Sequence, residues 1–200
     1  MYKHFFKRLF DLIISIIAFP FFLLLLIIIG PIIYFSDRGN IFYVASRLGK
    51  NGKVFKMLKF RSMKVNAPDI RNDDGSTFNS DNDPRVTKIG RIMRKTSIDE
   101  IPQIINILFG QMSLIGPRPT MPDIKIEDYK EEHRNRFKVK PGITGYSQAY
   151  YRNSVEQKIQ FDNDVYYSKN ISLLLDIKIF FKTIITVFKN DNINRKGKVE

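Results

Sequence analysis

Two adjacent carboxylates, Asp99 and Glu100, stand in the run Thr96-Ser97-Ile98-Asp99-Glu100-Ile101-Pro102, with basic residues before and after them at Lys59, Arg61, Arg94 and Arg118. Ser97-x-x-Glu100 has the form of a capping box, and acidic residues are favoured at helix starts. Pro102 competes with that reading, because Ile101 before it is biased away from helix and a helix can begin at Pro102. Either start leaves two carboxylates at a helix N-terminus, where backbone N–H groups also receive phosphate. Capping and catalysis both fit this spacing. Arg118 lies between Pro117 and Pro119, which lack N–H groups and restrict the backbone, so its direction is fixed at low cost. A planar guanidinium held in this way suits a bidentate phosphate contact. Any one of these basic residues taken alone reads better as a solvated surface charge.

Other chemistries are poorly served. The chain has no cysteine, which removes disulfides and thiolate metal sites, and its two histidines are His4 and His133. Zinc hydrolysis and histidine-based acid–base catalysis therefore lack their usual groups, and the work falls to carboxylates, lysine and arginine.

The elements that must position these residues can be read from pattern. Ile41–Leu48 and Val54–Phe60 are aromatic and β-branched runs joined through Asn51-Gly52, a type I′ hairpin signal. Asn66 to Asp83 is polar and reads as a long surface loop; its Asp69, Asp73, Asp74, Gly75, Asn79 and Asp81 do not have the spacing of a calcium loop. Lys88 to Lys95 predicts a basic helix, and Pro102 to Phe109 a short apolar one stopped by Gly110. Glu127 to Phe137 predicts an exposed charged helix, and Ser154 to Lys169 another helix. Ile171 to Phe188 is apolar but interrupted by Asp176, Lys178 and Lys182, which predicts a helix that is buried or lies in a membrane interface.

The N-terminal segment is of another kind. Leu12 to Ser36 is 25 residues without a charge, flanked by Lys3, Lys7 and Arg8 on one side and Arg38, Arg47, Lys50 and Lys53 on the other. Such a run is long enough to cross a hydrocarbon core of about 30 Å. Basic flanks favour the cytoplasmic face, and here both ends qualify. Pro20, inside the run, removes a backbone donor and frees the carbonyl of Ile16. A membrane helix that bends at Pro20 and returns to the same face satisfies both features; a tilted single span satisfies the length alone. No small-x-small site closes the run as a cleaved signal would. The expected organisation is a re-entrant membrane helix over residues 1–36 and a cytoplasmic, membrane-associated catalytic domain over 37–200.

The chain carries 33 Lys and Arg against 20 Asp and Glu, a net +13; setting aside Lys3, Lys7, Arg8 and Asp11 leaves +11. That excess suits an anionic partner. A membrane-anchored basic module for anionic lipid or nucleic acid is one reading. The basic residues are dispersed, in no recognised nucleic-acid fold, and this reading leaves Asp99-Glu100 and Arg118 without a role, so no nucleic-acid partner is expected.

Four motifs occur in order: Lys59-Phe60-Arg61-Ser62-Met63, Asp99-Glu100-Ile101-Pro102-Gln103, Met112-Ser113-Leu114-Ile115-Gly116-Pro117-Arg118-Pro119 and Lys140-Pro141-Gly142-Ile143-Thr144-Gly145. Together they resemble the bacterial sugar transferase family, small monotopic phosphoglycosyl transferases, and the likeness runs from the apolar segment to Gly197-Lys198-Val199. The resemblance implies a mixed α/β, mostly helical fold with a re-entrant helix, a β-hairpin and interfacial amphipathic helices. It implies transfer of a sugar-1-phosphate from a UDP-sugar to a polyprenol (undecaprenyl) phosphate, with release of UMP, at the cytoplasmic face of the bacterial inner membrane. Membrane lipids are then partners, and oligomeric state stays open. Asp99 would be the nucleophile and form a covalent phosphosugar ester, which is sensible only where surrounding charge is neutralised. Mg2+ would supply part of that neutralisation at Asp99 and Glu100, Glu100 assisting with metal or proton. Arg94 and Arg118 would hold phosphate oxygens, and Lys59, Arg61, Gln148, Arg152 and Asp164 would line the donor or lipid side. The chain departs from the family pattern at Phe19-Pro20, where Ser-Pro is usual, and in Tyr146-Ser147-Gln148-Ala149-Tyr150-Tyr151-Arg152-Asn153, where many relatives carry Trp and then Gln-Val-Asn-Gly.

Overall fold

The apolar run Leu12 to Ser36 lies within a single helix, α1 (Lys7–Asp37), entered through a wider helical turn at Tyr2–Phe6 and carrying both Pro20 and Pro31 inside it. Arg38 stops it in the left-handed conformation, its N–H donating to Tyr34 O at 2.7 Å. The computed structural model describes residues 1–70, 78, 80, 83–152 and 155–189. Much of the expected 66–83 loop, with Asp73, Asp74, Gly75, Asn79 and Asp81, lies outside the described residues, as do Asn153, Ser154 and the Gly197-Lys198-Val199 tail.

The hairpin forms where alternation and Asn51-Gly52 place it. Strands β1 (Phe42–Leu48) and β2 (Val54–Phe60) pair antiparallel from Phe42↔Phe60 to Leu48↔Val54. Asn51 and Gly52 both take positive φ, as a type I′ turn requires, and Lys53 N–H closes back on Lys50 O at 3.3 Å. The outer edge of β2 is sealed by Asn106, whose Oδ1 accepts from Leu58 N–H at 3.0 Å and whose Nδ2 donates to Lys56 O at 2.7 Å.

Next come α2 (Lys88–Thr96), α3 (Gln103–Leu108) and β3 (Ser113–Ile115). Thr87 caps α2, its hydroxyl accepting from Gly90 N–H at 3.0 Å. A side chain at Gly90 would put Cβ 1.9 Å from Ser62 O, so only glycine lets α2 lie against that backbone. Gly110 follows α3 with a positive φ, the stop expected there. After α4 (Glu131–Arg134), β4 (Gly142–Thr144) pairs parallel with β3 through Ser113↔Gly142 and Ile115↔Thr144. Helices α5 (Tyr146–Tyr151), α6 (Gln157–Lys169) and α7 (Leu173–Lys189) complete the described chain.

Two expectations fail locally. Ser97 is not a capping-box residue: it is the left-handed stop of α2, its side chain makes no cap bond, and α3 starts only at Gln103. Glu127 to Phe137 is not one exposed helix. Arg134 donates to the carbonyls of Tyr129 (3.0 Å) and Glu127 (2.5 Å), drawing carbonyls out of a continuous ladder, and Tyr129-Lys130 is extended. Within that stretch His133, Arg136 and Phe137 point inward and are buried.

The core holds α1 along its length. Phe22, Ile29 and Ile33 pack with Phe60 and Met93. Near its start, Arg8 donates to Ile107 O (2.6 Å) and Leu108 O (3.1 Å), and Asp11 accepts from Ser113 Oγ (3.0 Å) and Leu114 N–H (2.9 Å). Asp176 of α7 accepts from Tyr2, Lys7 and Tyr167 at 2.5, 2.8 and 2.7 Å. The remaining faces of α1 are apolar and exposed, among them Ile16, Ile17, Phe21, Ile27 and Phe35, and α7 likewise exposes Leu174, Ile177, Phe181 and Ile185.

Candidate active site

Ser97 in the left-handed conformation turns the chain sharply out of α2, and a single tight turn, Ile98–Glu100, carries both carboxylates before Pro102 admits α3. The turn is closed by Glu100 N–H to Ser97 O and Ile101 N–H to Ile98 O, both 3.2 Å. Asp99 is buried, 8 % exposed. Glu100 is met by Lys59, whose Nζ donates to Oε1 at 2.5 Å from the last turn of the hairpin face.

This setting divides the pair electrostatically. Burial, above all, pushes the Asp99 carboxyl up to about 6, with Glu100 adding to the rise while Lys59 and Arg94 oppose it. For Glu100 burial also acts upward, but Lys59, then Arg118 and Arg152, outweigh it and hold the carboxyl below its ordinary value. Glu100 is thus the charge-satisfied partner, and Asp99 the carboxyl whose ionised form is poorly solvated.

A cavity of about 1410 Å³ opens over them, lined by Lys59, Arg61, Arg94, Asp99, Glu100, Arg118, Gln148 and Arg152, so eight of the expected site residues converge. They are not equivalent. Arg61 is committed to the end of α1, pairing with Asp37 Oδ1 at 2.6 Å and donating to Ile33 O at 3.2 Å. Arg94 is steered by Nε to Ser62 Oγ at 3.0 Å. Gln148 donates to Ile143 O at 3.1 Å, while its Oε1 is buried without a partner. Pro20 lies on the exposed side of α1, away from this wall; Ser15 and Ala18 are the residues by which α1 reaches the cavity.

Asp164 stands behind the site and not in its lining. It is 1 % exposed and pairs with Arg136, Nη2 at 2.6 Å and Nε at 3.1 Å. Burial raises its carboxyl, opposed chiefly by Arg136. Arg136 Nη2 also donates to Arg118 O at 2.7 Å. The carbonyl of Arg118 is therefore held by the arginine of a buried ion pair, adding to the stiffness of its flanking prolines. Asp164 positions Arg118; its side chain does not face the cavity.

Sequence reasoning passed over Arg136, Arg85 and the cavity-facing role of Arg47. Arg85 grips Asp83 through Nε and Nη2 (2.9 and 2.7 Å) and donates to Pro68 O at 2.9 Å, fixing the chain beside the site. Nothing local marks Arg136. Arg47 had a signal: it is an even step from Tyr43 on β1, and Tyr43 lies opposite Lys59, so both basic residues share a hairpin face.

A chain with these features has relatives. A family model described as bacterial sugar transferase matches residues 2–190. The exopolysaccharide production protein ExoY of Sinorhizobium fredii is 39% identical over 192 residues, 90% of this chain and 84% of that protein. A UDP-N-acetylgalactosamine-undecaprenyl-phosphate N-acetylgalactosaminephosphotransferase of Aeromonas hydrophila is 38% identical over 92% of this chain and 44% of its own length. An undecaprenyl-phosphate galactose phosphotransferase of Salmonella typhimurium is 38% identical over 94% of this chain and 42% of its own. The chain spans less than half the length of these last two.

Proposed function

The chain belongs to the bacterial sugar transferase family, and from that premise we propose that it moves a sugar-1-phosphate from a UDP-sugar to undecaprenyl phosphate, releasing UMP, at the cavity around Asp99. The observation that carries this reading is a buried carboxylate, Asp99, in a cavity whose lining includes Lys59, Arg94, Arg118 and Arg152. Cations so placed neutralise a diphosphate and let an anionic nucleophile approach phosphorus.

In the first step a carboxylate oxygen of Asp99 forms a bond to the sugar-bearing phosphorus. The bond from that phosphorus to the bridging oxygen breaks, and UMP leaves with the electron pair. In the second step an oxygen of the polyprenol phosphate attacks the same phosphorus, and the Asp99 carboxylate departs, giving a lipid diphosphate sugar. Arg94 and Arg118 hold non-bridging oxygens. Lys59 keeps Glu100 charged and in place.

We propose Mg2+ as the cofactor, held by Asp99 and Glu100. Among the described residues no third acidic or histidine side chain joins them in a metal-ligating cluster. Two carboxylates with substrate phosphates completing the shell is a usual magnesium arrangement, so the donor set fits. The ion would supply further neutralisation of the phosphate oxygens.

The proposed setting is the cytoplasmic face of the inner membrane, with α1 re-entrant and α7 at the interface. At 1.5 Å per residue α1 is about 46 Å long, yet both its ends bind the same body, through Arg8 with Ile107 and Leu108 and through Asp37 with Arg61. That favours a helix entering and leaving on one side. Its exposed apolar faces, and that of α7, have lipid as their natural solvent. The alternative of a basic module that only binds anionic lipid leaves the buried Asp99 unexplained.

The test is a half-reaction. Purified protein with magnesium and a panel of UDP-sugars, without lipid acceptor, should release about one UMP per chain and gain the mass of a phosphosugar. Asp99→Asn should abolish both. Formation of lipid-linked sugar with no Asp99 adduct on rapid quench would show direct attack by the lipid phosphate instead.

A further inference from the structure

The transfer proposed above asks for cations at two phosphates, the one attacked and the one that leaves. UMP departs with charge building on its own phosphate, not on the phosphate Asp99 attacks. Lys59 is occupied by Glu100, and Arg94 and Asp99 serve the attacked side.

The hairpin places another cation on the same wall. In its register Tyr43 faces Lys59, Ala45 faces Met57 and Arg47 faces Phe55. Ala45, Met57 and Phe55 are buried, so this face looks inward, while Val44, Lys56 and Val54 look outward and are exposed. Lys59 and Arg47 therefore flank a small apolar floor, and Tyr43, Ala45, Arg47, Met57 and Lys59 all line the cavity.

Arg47 and Arg118 lie on neighbouring segments of the cavity wall: Leu48 N–H, next to Arg47 on β1, donates to Thr120 O at 2.9 Å, two residues beyond Arg118. Burial, first, lowers the Arg47 pKa; Tyr43 and Asp123 support its charge, and the Arg118 guanidinium works against it. Arg118 in turn acts on Glu100. Lys59, Arg118 and Arg47 thus line the same cavity as the carboxylate pair. Two guanidiniums brought together in a half-buried wall repel each other, and an anion between them offsets that cost.

We propose that Arg47 is a binding residue for the nucleotide, forming with Arg118 the seat for the phosphate that leaves as UMP. Its guanidinium is steered by Nη1 donating to Ser46 O at 2.9 Å, and its remaining donors suit a phosphate oxygen. The inference rests on the transfer reading, because that reading makes UMP the departing group.

Equilibrium binding tests it without turnover. UMP and uridine are titrated by calorimetry into the full chain in detergent, for the wild type, Arg47→Gln, Arg47→Lys and Lys56→Gln. Lys56 is the control, since it removes one charge from the outward face of the same strands, where it bonds Ser46 Oγ. Arg47→Gln should weaken UMP about tenfold or more while uridine changes little, so the preference for the phosphorylated ligand falls. Arg47→Lys should recover part of it and guards against a folding defect in the Gln variant. Lys56→Gln should match the wild type. If Arg47→Gln binds UMP like Lys56→Gln, or loses uridine and UMP equally, the assignment of Arg47 is wrong while the transfer reading stands. If the wild type does not bind UMP at all, both fall.

Discussion

At the scale of single residues, the site is a contrast between two neighbouring acids. Glu100 is charge-satisfied by Lys59, whereas Asp99 has burial pushing its carboxyl up to about 6. Because the folded-state value lies above the unfolded one, the folded protein binds more protons in the interval between about 4 and 6. Stability therefore falls as pH rises through that window. Asp99→Asn in metal-free protein should melt higher than the wild type at pH 7.5, by an amount corresponding to roughly 1–3 kcal/mol, and the advantage should vanish toward pH 4. Thermal melts in EDTA at several pH values check this; a pH-independent difference would mean that Asp99 is not held against its charge. The Arg136–Asp164 pair gives the opposite sign. Asp164→Ala leaves a guanidinium buried without its partner, and should cost about 3–5 kcal/mol in denaturant unfolding. Arg118→Lys keeps the charge but not the fork, and should fold normally while losing most UMP release.

At the scale of elements, the approach of α2 to the chain after β2 is set by a glycine. Gly90→Ala would drive Cβ into Ser62 O, and Ser62 is the residue that steers Arg94. The expected result is a loss of about 1–3 kcal/mol in unfolding experiments together with slower UMP release, since the strain falls on an arginine's anchor. If Gly90→Ala lowers stability but leaves turnover intact, the Ser62–Arg94 contact is not part of the site. The joint between α1 and α7 is different in kind: Asp176 collects Tyr2, Lys7 and Tyr167, and so ties the start of the apolar helix to α6 and α7.

At the scale of the whole molecule, the proposed membrane setting turns on which side of a bilayer each end of α1 meets. The chain has no cysteine, so single cysteines are clean probes. Lys3→Cys and Lys53→Cys, at exposed positions on either side of α1, should both label only from the cytoplasmic side of intact cells. Labelling of Lys3→Cys from outside would establish a spanning helix. Much of this plan was already legible in the sequence, because it is written in neighbours. The uncharged run, the alternation of the hairpin strands, Asn51-Gly52 at its turn and Gly110 after α3 each depend on backbone preference or periodicity over a few residues. The ordered motifs likewise marked Asp99, Glu100 and Arg118. Local pattern could not tell the capping box from the tight turn that Ser97 actually begins, nor foresee that Arg134 would draw carbonyls out of the 127–137 stretch. Nor could it separate Asp164, which lies behind the site, or Arg61, which is tied to Asp37 at the end of α1, from Lys59 and Arg94, which act on the carboxylate pair. Those roles were decided by partners far along the chain: Asp164 by Arg136 28 positions away, Glu100 by Lys59 41 away, Asp11 by Leu114 103 away. Burial is what gives such pairs their energy, and burial exists only once the distant segments have packed.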